Sequence, residues 1–152
     1  MNKVIVFASK YGFTKECSQK LSNLMGNVDM LQLGKENVDI SSYDTVILGT
    51  SVYAGQIRPE MKKFIESNQE ELKKKELGVF ICGADEDQID ETLKRNFGEL
   101  LNHAKEVSRF GYEFNLDKLK FFEKLIVKKI AKVSSNERKV FEEKIEEFSN
   151  KF

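Results

Sequence analysis

Lys3-Val4-Ile5-Val6-Phe7-Ala8-Ser9-Lys10-Tyr11-Gly12-Phe13-Thr14 opens the chain with an apolar run and then a short polar turn. The run from Val4 to Ala8 has no polar interruption, which suits a strand covered on both faces, as in a parallel sheet. Val46-Ile47-Leu48-Gly49 and Leu77-Gly78-Val79-Phe80-Ile81-Cys82 repeat the pattern. Val28 to Leu33 is more mixed and reads as an edge strand, and Val107 to Phe114 as a fifth strand.

Helix patterns fill the intervals. Thr14 reads as the cap of a helix with Cys17, Leu21, Leu24 and Met25 on its inner face. Pro59 suits a first helical position, with Met61, Phe64, Ile65, Asn68 and Leu72 following at helical spacing. Asp87 reads as the cap of a third helix bearing Ile89, Leu93, Phe97, Leu100 and Leu101, weakened in its second half by Gly98. Ser134-x-x-Glu137 is a capping-box pattern before a last helix with Phe141, Ile145, Phe148 and Phe152 on one stripe. Strand–helix alternation over 152 residues predicts one α/β domain, a doubly wound parallel sheet with helices on both faces.

Bulk composition narrows the function. Lys+Arg and Asp+Glu each number 25, so there is no basic excess of the kind a nucleic-acid binder shows. No apolar run approaches a membrane span, and the N-terminus lacks a signal-peptide layout. Cys17 and Cys82 form no metal motif; both fall on apolar faces and read as core residues in a reducing cytoplasm. The lone His103 falls near a helix end and reads as a surface residue.

In an open parallel sheet, ligands bind beyond the carboxyl ends of the strands. Three loops therefore matter. Ser9, Lys10, Tyr11, Gly12, Phe13 and Thr14 combine hydroxyls, a glycine and a helix N-terminus, which suits a phosphate. An ordinary strand–helix turn capped by Thr14 accounts for the same residues. Thr50, Ser51, Val52, Tyr53, Ala54 and Gly55 set an aromatic among small residues, which suits a planar ring, although Tyr53 can equally cover a sheet edge. Gly83 and Ala84 allow close backbone approach, and Asp85 can accept from a ligand N–H. Glu86 and Asp87 read as a solvated helix start. G-x-x-x-x-G-K-[ST] and G-x-G-x-x-G are both absent, so neither a P-loop nor a dinucleotide site is supported. A phosphorylated receiver domain would need carboxylates where Ala8-Ser9-Lys10 and Thr50-Ser51-Val52 stand.

The ordered set of three loops resembles the flavodoxin superfamily. Ser9 to Thr14 matches its phosphate loop, S/T-x-T/Y-G-x-T, and Ser42 to Gly49 resembles the approach to its second flavin loop. The resemblance implies a flavodoxin-like five-stranded parallel sheet in the order 2-1-3-4-5. It also implies FMN held by all three loops, with its phosphate at Ser9 to Thr14, and electron transfer to a redox partner protein or a quinone. Gly49 to Gly55, and the segment from Phe121 to Val133, most resemble flavodoxin domains related to menaquinone-dependent protoporphyrinogen dehydrogenase. That enzyme usually carries Arg-Tyr where this chain has Tyr53-Ala54, and the third loop lacks the aromatic common in plain flavodoxins. Three readings therefore stand: an FMN electron carrier, an FMN-dependent oxidoreductase of the protoporphyrinogen type, and a non-catalytic adaptor that kept the fold and lost the flavin.

Residues 116–133 form an insertion before the last helix. Lys118, Lys120, Lys124, Lys128, Lys129 and Lys132 outweigh Asp117 and Glu123, a local charge of +4 in a neutral chain. As a helix it gathers Leu119, Phe122, Ile126, Ile130 and Val133 on one face and leaves Phe121 and Leu125 among lysines. A surface helix docked on the sheet fits this pattern, and a peripheral contact with the inner face of a membrane is the sharper alternative.

Overall fold

Strands and helices alternate as expected in the computed structural model of the chain, which describes residues 2–83, 86–118, 123–125 and 136–152. In chain order the elements are β1 (Lys3–Ala8), α1 (Phe13–Leu24), β2 (Asp29–Gln32), β3 (Thr45–Tyr53), β4 (Gln56–Ile57), α2 (Pro59–Leu72) and β5 (Glu76–Cys82). A 3-10 turn (Glu86–Gln88) follows, then α3 (Ile89–Phe97), α4 (Glu99–His103), β6 (Glu106–Phe114), β7 (Glu137–Val140) and α5 (Glu142–Ser149).

The parallel strands lie in the order β2-β1-β3-β5-β6, which is the expected 2-1-3-4-5 arrangement. Two short antiparallel strands extend it. β4 folds back on the end of β3, and β7 pairs with β6 at the sheet edge. β7 reads Glu-Arg-Lys-Val and shows no apolar alternation; charge on an edge strand discourages further pairing.

Side chains alternate across the sheet and build two cores. Val4, Val6, Val46, Leu48, Val79 and Ile81 point to one face, where Met61, Phe64 and Leu72 of α2 and Leu93 and Phe97 of α3 cover them. Ile5, Phe7, Ile47, Phe80 and Phe110 point to the other, under Cys17 and Leu21 of α1 and Ile145 and Phe148 of α5. Phe80 stacks on Phe110 with centroids 4.3 Å apart, and Phe148 meets both rings edge-on. Gly49 makes room for this cluster: a Cβ there would lie 2.1 Å from the Phe80 ring.

Several local expectations need correcting. Leu24 is exposed, because α1 ends there and Met25 takes the inward position instead. Asp87 sits inside the 3-10 turn rather than capping α3, whose N-cap is Gln88. Glu137 opens β7 instead of lying in the first turn of the last helix, because pairing with the β6 edge overrides the local signal; Ser134 lies outside the described residues, and α5 starts one residue after Phe141. Gly98 does divide its helix, with φ of 55° between α3 and α4. Pro59 begins α2 as expected. Of the basic insertion, residues 119–122 and 126–133, Phe121 among them, lie outside the described residues. Leu125 is exposed, as the sequence suggested. Among the described residues no helix is long and apolar enough to cross a membrane.

Candidate functional site

The parallel register brings the three loops to one end of the sheet. Ala8 pairs with Thr50, and Ser51 with Cys82, so the chain leaves β1, β3 and β5 side by side. The second and third loops touch: a Cβ on Gly83 would meet that of Val52 at 3.3 Å.

The first loop turns on Gly12, whose φ of 100° is left-handed and whose Cβ position faces open space. Gly12, not Thr14, is the N-cap of α1, and Thr14 lies within the first turn. Ser9 closes the loop instead, its Oγ accepting from the Gly12 N–H (3.1 Å) and the Lys15 N–H (3.4 Å). Thr14 is left with a different role. It is 1% exposed, and among the described residues its hydroxyl has no oxygen or nitrogen partner, with the Cys82 thiol, a weak acceptor, beside it. A buried hydroxyl without a partner costs roughly 1–3 kcal/mol, so such groups usually answer to a ligand or water. Here it sits at the positive end of the α1 dipole, where Ser9 takes the Lys15 N–H and leaves the Phe13 and Thr14 N–H groups of the first turn to a ligand. Hydroxyl, N–H groups and glycine turn together fit a phosphate ester.

The second loop is a tight hairpin rather than a simple strand–helix loop. Tyr53 pairs with Gln56, and Ala54 and Gly55 make the turn at φ of 51° and 75°. Positive φ at both central residues matches the twist of the flanking strands. Asn96 of α3 pins it, donating from Nδ2 to the Gly55 carbonyl at 3.1 Å. Thr50 serves this hairpin too: its fully buried hydroxyl donates to the Ser51 carbonyl and accepts from the Arg58 N–H. Tyr53 stands 38% exposed at the rim, where a planar ring can meet it.

Of the third loop Gly83 is described; Ala84 and Asp85 lie outside the described residues. Gly83 is held from both sides. Its N–H donates to the Gly111 carbonyl (2.9 Å), and its carbonyl accepts from Arg109 Nε (2.6 Å). Arg109 is nearly buried between the rings of Tyr112 and Phe141. Beneath the loops, Cys82 is buried beside Cys17, and burial pushes its thiol well above the usual range.

Two side chains at this end carried no sequence signal. Arg109 reads in isolation as one more charge on a strand. Glu123 belongs to the insertion, yet its carboxylate accepts from Lys10 Nζ at 2.7 Å and from the Tyr11 hydroxyl at 2.5 Å. The Tyr53 hydroxyl donates to its main-chain carbonyl at 3.4 Å. The bond to Glu123 holds Lys10 above the usual lysine range. Burial first, and then Glu123, raises the Tyr11 phenol; burial and the Glu123 charge do the same for Tyr53. Lys118 adds a bond to the Tyr11 carbonyl at 3.3 Å. His103 lies at the opposite end of the sheet, against the Lys75 carbonyl.

The flavodoxin domain family matches residues 4–140, and the chain belongs to that family. Solved structures share the fold at low identity. A short-chain flavodoxin associated with a PDU bacterial microcompartment is 15% identical, with a TM-score of 0.63 over 99% of this chain and 96% of that one. A flavoprotein in complex with FMN from Lactobacillus acidophilus is 15% identical, with a TM-score of 0.57 over 71% of this chain and 92% of that one. A flavodoxin from the domain Archaea is 17% identical, with a TM-score of 0.53 over 87% and 97%. A search of curated proteins gave no match.

Proposed function

We propose that this protein binds FMN at the three loops and passes electrons between redox partners. One observation carries the reading: the buried hydroxyl of Thr14, without an oxygen or nitrogen partner among the described residues, at the N-terminal turn of α1 beside the Gly12 turn. Family membership and the FMN complex of a fold relative support it. Bound FMN would supply the electron chemistry, and the protein would supply position and electrostatics.

Each described residue has a definite part. Thr14 donates to a phosphate oxygen, and the Phe13 and Thr14 N–H groups at the start of α1 face the same anion. Ser9 holds the loop in shape through the Gly12 and Lys15 N–H groups. Tyr53 offers a ring face at the rim, and the pinned Gly55 turn fixes where that ring stands. Arg109 and Gly111 fix the start of the third loop. The Tyr53-Ala54 turn departs from the Arg-Tyr pair of protoporphyrinogen dehydrogenases, so porphyrinogen oxidation is not part of this reading.

The test is flavin absorbance of the purified protein, with FMN titrated into any colourless fraction. Thr14→Val removes the hydroxyl at similar volume, and the expected loss of FMN affinity is about tenfold or more, the size of one charge-assisted hydrogen bond. Absence of bound flavin and of uptake by the unaltered protein would refute the reading and leave the adaptor role.

A further inference from the structure

A carboxylate sits across the mouth of the proposed flavin site. Glu123 meets Lys10 and Tyr11 of the first loop through its side chain and Tyr53 of the second through its carbonyl. It is therefore the one described residue of the insertion that bridges both loops. Its side chain is only 15% exposed, so the contact is seated rather than waving in solvent.

We infer that Glu123 is an internal competitor of the flavin phosphate and sets the selectivity of the site between phosphorylated and unphosphorylated flavin. The inference rests on the FMN reading above and adds to it a determinant that no motif of the sequence carries.

Two physical facts support it. A phenol has one proton to donate. While the Tyr11 hydroxyl donates to Glu123, it has none for a phosphate oxygen. Lys10 likewise spends its charge on the same carboxylate. Secondly, a phosphate on the first loop and a carboxylate bonded to Lys10 and Tyr11 of that same loop are like charges, and like charges repel over about one screening length, roughly 8–10 Å at physiological salt. A phosphate-bearing flavin must therefore displace Glu123 or bind against its charge. A flavin without phosphate brings no second negative charge and is not subject to that repulsion. The sequence of events is a simple exchange: Glu123 leaves Lys10 and Tyr11, and phosphate oxygens take both donors.

The experiment compares the full chain with Glu123→Gln and Glu123→Ala, in flavin-free form. Fluorescence quenching gives dissociation constants for FMN and for riboflavin, which lacks the phosphate. Both variants should bind FMN about three- to tenfold more tightly, the scale of one screened like-charge contact, with riboflavin unchanged. The tightening should shrink as salt is raised. Equal tightening for both flavins would overturn the inference, because it would mark Glu123 as a steric cover only. Weaker FMN binding in the variants would overturn it too, by making Glu123 a holder of the bound flavin. If the unaltered chain and both variants take up neither flavin, the FMN reading falls and this inference with it. FMN uptake unaffected by Glu123→Gln sinks the inference alone. The contact itself has an independent readout: the Tyr11 phenol should ionise at lower pH in Glu123→Gln, followed by phenolate absorbance against a Tyr11→Phe control.

Discussion

The two faces of the sheet are built from different material. Under α2 and α3 the core is mostly aliphatic, with Val4, Val6, Leu48, Val79 and Ile81 presenting small, adaptable side chains. Under α1 and α5 it is organised around Phe80, Phe110 and Phe148, whose rings interlock at fixed angles. The proposed phosphate loop, Ser9 to Thr14, belongs to the aromatic side, because α1 grows directly out of it and seats Phe13, Cys17 and Leu21 there. Aliphatic packing tolerates small changes of shape, whereas interlocked rings fix their neighbours. The helix whose first turn must be placed accurately is thus docked on the less forgiving face.

The contrast can be broken at three points. Phe80→Ala removes the ring that touches both partners, and should cost about 3–5 kcal/mol of stability in a denaturant titration. A loss below that of a typical aliphatic truncation would show that the aromatic face can collapse. Gly49→Ala drives a methyl into the Phe80 ring, which cannot swing away without disturbing Phe110 and Phe148. About 1–3 kcal/mol of destabilisation is expected, read as a fall in the thermal midpoint. Ile81→Val, one residue along β5 but on the aliphatic face, should cost only about 0.5–1.5 kcal/mol. A cost equal to that of Gly49→Ala would erase the difference between the faces.

Much of this arrangement was legible in the chain itself. The apolar runs at Val4–Ala8, 46–49 and 77–82 became central strands because a doubly covered strand needs little besides continuous apolarity. Pro59 and Gly98 acted where their backbone preferences predict. What escaped was set by partners distant in sequence. β7 is charged and non-alternating; only the exposed edge of β6 makes it a strand. β4 spans two residues and follows a Tyr53-Ala54-Gly55 turn without the usual Asn-Gly signal. Thr14 looks like a cap from its neighbours, and only the position of Gly12 and Ser9 frees its hydroxyl for another role. Glu123 lies more than a hundred residues from the loop it meets, beyond the reach of any local pattern.

The two thiols beneath the loops make the protein its own clock. Cys17 on α1 and Cys82 at the end of β5 are both closed to solvent, and a buried thiol reacts only when the structure around it opens. Their labelling rate therefore counts how often α1 lifts from the sheet, carrying the Ser9–Thr14 loop with it. A ligand seated on that loop would lower the count without changing the chemistry of either sulfur.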